Sequence, residues 1–265
     1  MTDPEERRGD RIAKFLSRAG VASRRDAERM LAEGAIKLNG KVVTHPATFI
    51  SAGDVVQVNG KVVDQPDRTR VWRYHKPEGL VTTHKDPEGR PTVFEKLKHQ
   101  LPRVISVGRL DLTSEGLLLL TNDGGLARQL ELPATGWLRR YRVRVFGVPN
   151  EAALKALAHG VTVDGVRYGP IEAAIDARTG DNTWLTVSLR EGRNREIRRV
   201  MEHLGLSVSR LIRVAYGPFQ LGTLERGGIE EIPARVLREQ LPASAGAPPP
   251  LPRHRGAAAT LPRTR

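Results

Sequence analysis

The chain of 265 residues contains no cysteine, which excludes disulfide frameworks and thiolate metal sites. Its seven histidines show no ligand spacing, so no structural metal is expected. No segment approaches the roughly 18 consecutive apolar residues of a membrane-spanning helix. The opening Met1-Thr2-Asp3-Pro4-Glu5-Glu6-Arg7-Arg8 has no apolar core for a signal peptide. A cytoplasmic protein that does not engage membranes is expected. Acidic residues are also in deficit, 30 against 43 Lys and Arg, for a net charge of +13. A polyanion is the natural partner of such a surface.

Punctuation divides the chain. Residues 1–10 and 241–265 read as disordered ends, the second with four arginines and no acid among Ala, Pro and Gly. Residues 11–63 read as a small domain, residues 64–70 as a polar linker containing proline, and residues 71–240 as a larger domain.

In the small domain, Ile12, Phe15, Leu16 and Ala19 recur at helical spacing, and Gly20 ends the helix. Ser23 is placed to cap a second helix that buries Ala27, Met30 and Leu31 and stops at Gly34. A strand, an Asn39-Gly40 turn and a second strand follow. Lys14, Arg18, Arg24, Arg25, Arg29, Lys37 and Lys41 are left facing outward. Seven cations in about thirty residues make a surface suited to a phosphate backbone.

The larger domain reads as α+β. Residues 71–75 suit a strand, Lys76-Pro77-Glu78-Gly79 a turn, and residues 80–83 a second strand. Tyr141, Val143 and Val145 alternate with Arg140, Arg142 and Arg144, and Leu185, Val187 and Leu189 alternate likewise with polar neighbours. Helices are expected at about 94–98, 124–130, 150–159 and 194–204, the last capped by Asn194 and burying Ile197, Val200, Met201 and Leu204. Few helices among many strands imply a mixed sheet with flanking helices.

Within this domain, Asp111 stands between Arg109 and four consecutive leucines, residues 117–120, whose run suits a strand covered on both faces. A carboxylate on such a stiff scaffold is well placed for chemistry. By spacing alone, a turn cap is the simpler reading, with Thr113 and Ser114 as ordinary turn formers. No second acid pairs with Asp111 as glycosidases require, no acid cluster suits magnesium, and no glycine-rich loop suits a methyl-donor cofactor. The chemistry would have to run on one acid with no cofactor.

Two resemblances give these features a context. Residues 11 to about 58, from Arg11-Ile12-Ala13-Lys14-Phe15-Leu16 to the Asn39-Gly40-Lys41 hairpin, closely resemble the S4-type RNA-binding module. That similarity implies structured RNA read by shape and backbone. Residues 71 to about 240 resemble the catalytic domain of the bacterial ribosomal-RNA branch of the pseudouridine synthases, the RsuA/RluB family. Four segments match in order. They are Lys76-Pro77-Glu78-Gly79-Leu80-Val81-Thr82-Thr83, the run from Gly108-Arg109-Leu110-Asp111 to Gly124, Arg140-Tyr141-Arg142-Val143, and Glu191-Gly192-Arg193-Asn194-Arg195-Glu196-Ile197-Arg198-Arg199.

The resemblance implies a long, curved, mainly antiparallel sheet with a central cleft, and conversion of uridine to pseudouridine without a cofactor. It implies that Asp111 acts on the ribose, at carbon 1′ as nucleophile or at carbon 2′ as base. It further implies that Tyr141 stacks on the uracil and that Arg198 pairs with Asp111, with Arg193 as its nearest competitor. Arg109 is the candidate to fill the space of the flipped nucleotide, Leu110 and Ile197 would pack around the base, and Arg195 and Arg199 would contact RNA. Asn194-Arg195-Glu196, the N-terminal module and the basic tail look more like the enzymes that act on the large ribosomal subunit, which implies 23S rRNA or ribosome assembly intermediates as partner; a monomer is expected, although no motif encodes oligomeric state. The alternatives are a small-subunit (16S) enzyme and an inactive RNA-binding assembly factor, against which the presence of Asp111 counts.

Overall fold

A computed structural model describes residues 9–132 and 135–241. The ends expected to be disordered lie, apart from residues 9, 10 and 241, outside the described residues. Among the described residues no helix is long and apolar enough to cross a membrane, and no three potential metal ligands cluster.

The N-terminal region builds its own core. Helix α1 (Ile12–Arg18) buries Ile12, Ala13, Phe15 and Leu16. Helix α2 (Arg24–Ala32) starts at Ser23, whose hydroxyl accepts the Asp26 N–H at 3.0 Å, and buries Ala27 and Leu31. Such a cap is worth about 1 kcal/mol. Strands β1 (Ile36–Leu38) and β2 (Lys41–Val42) meet at Asn39-Gly40, and β3 (Val56–Val58) and β4 (Lys61–Val62) at Asn59-Gly60. Both Asn-Gly pairs have positive φ at each residue, as a twisted two-residue hairpin requires. The sheet order is β2-β1-β3-β4, and one face packs on the helices through Ile36, Val56 and Val58.

The larger region is organised by one nine-stranded sheet. In chain order it uses β5 (Val71–Lys76), α3 (Val93–Leu97), β6 (Ile105–Val107), β7 (Glu115–Thr121), α4 (Gly124–Glu131), β8 (Arg139–Phe146) and α5 (Glu151–Ala156). A 3-10 turn and the hairpin of β9 (Val161–Val163) and β10 (Val166–Tyr168) follow. The chain then runs through β11 (Ile171–Thr179), β12 (Asn182–Leu189), α6 (Glu196–His203), β13 (Ser207–Tyr216), β14 (Phe219–Gln220), β15 (Ile229–Glu231) and α7 (Ala234–Gln240). The main path is β11-β12-β8-β13-β7-β5-β15, antiparallel except where β13 runs parallel to β7.

The leucine strand β7 lies inside this sheet. Leu118 and Leu120 enter one core with Tyr74, Leu97, Val143 and Leu185, while Leu117 and Leu119 enter a second core with Leu126, Leu130, Tyr216 and Phe219. All four are fully buried, each contributing roughly 1.5–3 kcal/mol. β7 therefore begins from an anchored position, and the turn ahead of it inherits that rigidity. Gly116 permits the β7–β13 contact: it has φ +101°, and a Cβ there would stand 2.2 Å from the Arg213 carbonyl oxygen.

Two local expectations need correction. Residues 80–83 form no strand: Pro77 and Gly79 (φ +85°) turn the chain out of the sheet, and only Val81 makes an isolated bridge, to Thr92. β5 pairs with β7 instead. Asn194 does not cap α6: the cap position belongs to Arg195 in a left-handed conformation (φ 52°), with no side-chain hydrogen bond. Glu196 supplies the local closure, its carboxylate accepting the Arg193 N–H at 2.9 Å.

Candidate active site

A cleft of about 700 Å³ opens between the turn before β7, the middle of β8 and the segment leading into α6. Asp111, Arg109 and Leu110 line it from the first, Tyr141 from the second, and Arg193, Arg195 and Ile197 from the third. Three segments separated by tens of residues thus share one cavity. Arg198, expected beside them, does not line it, and neither does Arg199, expected to contact RNA.

The turn carrying Asp111 is held at every carbonyl from Leu110 to Ser114. Thr82 Oγ1 donates to Leu110 O at 2.8 Å, and Gly79 N to Leu112 O at 2.8 Å. Lys76 Nζ donates to Asp111 O at 3.0 Å, to Ser114 O at 2.8 Å and to Pro77 O at 3.0 Å. Ser114 N also donates to Asp111 O, and Arg198 Nη2 donates to Thr113 O at 3.0 Å. Five consecutive acceptors so engaged leave the turn little conformational freedom.

Lys76 is fully buried, and its three N–H bonds match three carbonyls. Burial pushes its pKa down to about 8, against the pull of Asp111, Glu115 and Glu78, so it remains an ammonium at neutral pH. By sequence Lys76 belongs to a turn motif with no expected role in the site. Its signal is a cation ending a strand whose inward positions are otherwise apolar. Behind the turn, the buried carboxylate of Glu115 is paired with Arg210, whose hydrogen bonding holds its pKa below the usual range despite burial.

The four acids lining the cleft divide by partner. Asp86 is paired with Arg90 at 2.8 Å, Glu131 accepts the Gly108 N–H at 2.6 Å, and Glu196 accepts the Arg193 N–H. The Asp111 carboxylate has no hydrogen bond or ion pair among the described residues, although its charge acts on Lys76 and Arg198. Glu196 is 3% exposed, and burial, with Glu191 adding to it, pushes its pKa up to about 7 while the Arg193 N–H opposes.

The expected ion pair between Arg198 and Asp111 is absent. The Arg198 guanidinium donates through Nη1 to Val208 O and through Nη2 to Thr113 O, each at 3.0 Å, so it ties the Asp111 turn to β13, and its buried Nε is left without a hydrogen-bond partner. Burial lowers its pKa, with Arg195 adding and Asp111 opposing. Arg193 does not replace it: Arg193 pairs with Glu191 at 3.0 Å and lies 5.9 Å from the Tyr168 ring.

Tyr141 is buried on β8 with Val143 and Val145, opposite Val187 on β12, while Arg140, Arg142 and Arg144 stand on the exposed face. Leu110 and Ile197 are buried at the cleft wall, and Arg109 is exposed at its rim. Three cations of the cleft lining, Arg90, Arg139 and Arg213, were not expected from the sequence. Arg213, 3% exposed, lines the cleft, donates through Nε to Leu117 O at 2.7 Å and leaves Nη2 unpartnered. It sits in an alternating strand where an inward basic residue gives no sequence signal.

In the N-terminal region, Lys14 and Arg18 pair with Asp10, and Arg29 with Asp26 and Glu33. Arg24, Arg25, Lys37 and Lys41 are exposed and have no ion pair among the described residues.

An N-terminal basic module joined to a sheet with a single unpartnered cleft carboxylate suits chemistry on a polyanion, and similarity to known proteins identifies the family. The RNA pseudouridylate synthase family matches residues 70–203, and the S4 domain matches residues 10–56. An uncharacterized RNA pseudouridine synthase of Rickettsia prowazekii is 47% identical over 231 residues, covering 87% of this chain and 97% of that protein. The ribosomal large subunit pseudouridine synthase B of Pasteurella multocida is 43% identical over 231 residues, covering 84% of this chain and 67% of that protein. A crystal structure of a pseudouridylate synthase shares the fold, with TM-score 0.60 and 24% identity over 87% of this chain and 99% of the other. The chain belongs to the RNA pseudouridine synthases and carries an S4 RNA-binding domain.

Proposed function

We propose that this enzyme isomerises one loop uridine of 23S rRNA, in free RNA or in an assembling large subunit, acting as a monomer. Relatives named as ribosomal large subunit pseudouridine synthases, 41–43% identical, support the choice of RNA. The observation that carries the chemistry is the one cleft carboxylate left without a partner, Asp111, on a turn whose carbonyls are all engaged. A uridine in a stack cannot reach it, so the nucleotide must flip into the cleft. Arg109, exposed at the rim beside Asp111, is positioned to occupy the vacated space by stacking its guanidinium on neighbouring bases.

Inside, Leu110, Ile197 and Tyr141 form a low-dielectric wall for the uracil ring. Asp111 acts on the ribose, by attack at carbon 1′ or by removal of the proton at carbon 2′, and the bond from carbon 1′ to N1 breaks. The uracil turns and carbon 5 bonds to carbon 1′ as the Asp111 ester is released or, on the carbon 2′ route, as the proton taken by Asp111 returns to carbon 2′. The proton on carbon 5 then leaves and N1 takes one up, with Tyr141 within the same wall to assist. Arg198 acts through the backbone, as a positioning residue for the Asp111 turn. Arg195 and Arg199 join Lys14, Arg18, Arg24, Arg25, Arg29, Lys37 and Lys41 in contacting phosphates, and Arg193 lines the pocket.

The test is to remove the gene and map pseudouridine in both ribosomal RNAs. Loss of one large-subunit site supports the proposal, loss of a small-subunit site moves the substrate to 16S rRNA, and no loss overturns it.

A further inference from the structure

The S4 region and the catalytic domain enclose a second, smaller cleft of about 320 Å³ where they meet. Lys14, Ser17, Arg18, Ser23 and Arg24 line it from α1 and the start of α2. His84, Arg103, Ile105 and Gly124 line it from the other side. The two sides touch: Arg18 reaches Asp123 at 3.8 Å, and a methyl group on Gly124 would stand 3.8 Å from Arg24 Nη2. On the far side, one on Gly20 would stand 3.7 Å from Arg103 Cβ.

Four cations line this space and no carboxylate does. Lys14 and Arg18 are partly compensated by Asp10 at 2.7 and 3.5 Å behind them. Arg24 and Arg103 have neither a hydrogen bond nor an ion pair among the described residues. Asp26 feels the charge of Arg103, but its oxygens are taken by Ser23 and Arg29. His84 is stacked on Phe94 with centroids 3.6 Å apart, and burial together with Arg103 lowers its pKa, so it adds an N–H donor without adding charge. Like charges gathered from two domains repel, and a bound anion reverses the sign of that interaction.

We propose that this cleft is a phosphate site, gripped by Arg24 from the S4 domain and Arg103 from the catalytic domain, that holds one backbone phosphodiester of the RNA substrate. The identity of the polyanion rests on the proposed function; the phosphate chemistry rests on the cleft. One phosphate held by both domains fixes the register of the RNA across the domain boundary, and so which nucleotide lies over the cleft of Asp111. This is a device for positioning, not for reading bases, since phosphate contacts carry no sequence information.

The test measures equilibrium binding of the full chain to in vitro transcribed 23S rRNA across a range of salt, with every protein carrying Asp111→Asn so that no turnover occurs. Arg103→Ala is expected to weaken binding about tenfold, as for loss of a charge-assisted hydrogen bond, and to lower the slope of log Kd against log salt by about 1. Arg24→Ala is expected to do the same. The double variant should lose less than the sum of the two, because both residues hold one group. Arg103→Lys should retain most of the affinity, and melting curves check that each variant is folded.

An unchanged affinity and slope in folded Arg103→Ala would overturn the proposal, as would strict additivity in the double variant. Inorganic phosphate is the second probe: binding that Arg103→Ala abolishes, with RNA affinity untouched, would make this a site for a small anion and overturn the RNA assignment. Failure of the wild-type chain to form pseudouridine would count against the proposed reaction and leave this binding measurement standing.

Discussion

The ammonium of Lys76, at the end of β5, donates a 3.0 Å hydrogen bond to the backbone oxygen of Asp111, thirty-five residues later. The same nitrogen holds Ser114 O at 2.8 Å, so one buried charge closes both ends of the turn that presents the carboxylate. Lys76→Met fills the space but leaves the turn untethered. RNA affinity is expected to stay within twofold or so while kcat falls about 100-fold, the scale of an ångström-sized misplacement. Single-turnover kinetics at saturating RNA, beside a binding isotherm, separate the two. In the wild type, kcat should fall as pH rises through about 8, where Lys76 loses a donor.

Asp111→Asn keeps the shape of the side chain and all the backbone bonds of its turn while removing the charge. Pseudouridine formation, followed by release of tritium from carbon 5 of labelled uridine, should fall to background with RNA binding intact. Retained turnover would refute the proposed mechanism.

Arg198 offers a sharper discrimination. If its role were charge beside Asp111, Arg198→Lys would restore much of the activity lost in Arg198→Met. Because its guanidinium spans Thr113 O and Val208 O, a single ammonium cannot replace it. Both variants are expected to lose on the order of tenfold or more in kcat, consistent with disturbed positioning, and to leave KM nearly unchanged. Measured kcat and KM for the pair decide the matter.

Glu196 links the segment lining the cleft to pH. Its pKa is about 7 in the folded chain against an ordinary 4.5. Between those values the unfolded chain is ionised while the folded chain holds a proton, so stability falls as pH rises from about 4.5 to 7, and the loss is complete above that window. Glu196→Gln can still accept the Arg193 N–H and cannot ionise. It should be more stable than wild type at pH 8, by up to about 3 kcal/mol from linkage, with the difference vanishing toward pH 4.5. Urea denaturation at pH 5 and pH 8 measures it.

Local pattern made much of the fold legible. The alternation of Tyr141, Val143 and Val145 with arginines, the cap at Ser23, the Asn39-Gly40 hairpin and the leucine run of β7 are short-range signals. Each shows the burial or turn its residues imply. Residues 80–83 misled because apolar and β-branched composition cannot reveal that Pro77 and Gly79 have already turned the chain out of the sheet. The Arg198 ion pair was not legible for a related reason: which acceptors a guanidinium meets depends on packing, and Nη1 and Nη2 of Arg198 meet the carbonyls of Val208 and Thr113.

The sequence by itself determined the family motifs, the apolar faces and the excess of positive charge, because those depend on residue type and spacing along the chain. Only the tertiary structure decided that Asp111 is the cleft acid left without a partner and that Lys76 holds its backbone. It alone placed Arg213 at the cleft wall and brought Arg24 and Arg103 from two domains to one cavity. Which acceptor a buried cation satisfies, and which charges are left over, is settled by packing among residues distant in sequence, and no local pattern records it.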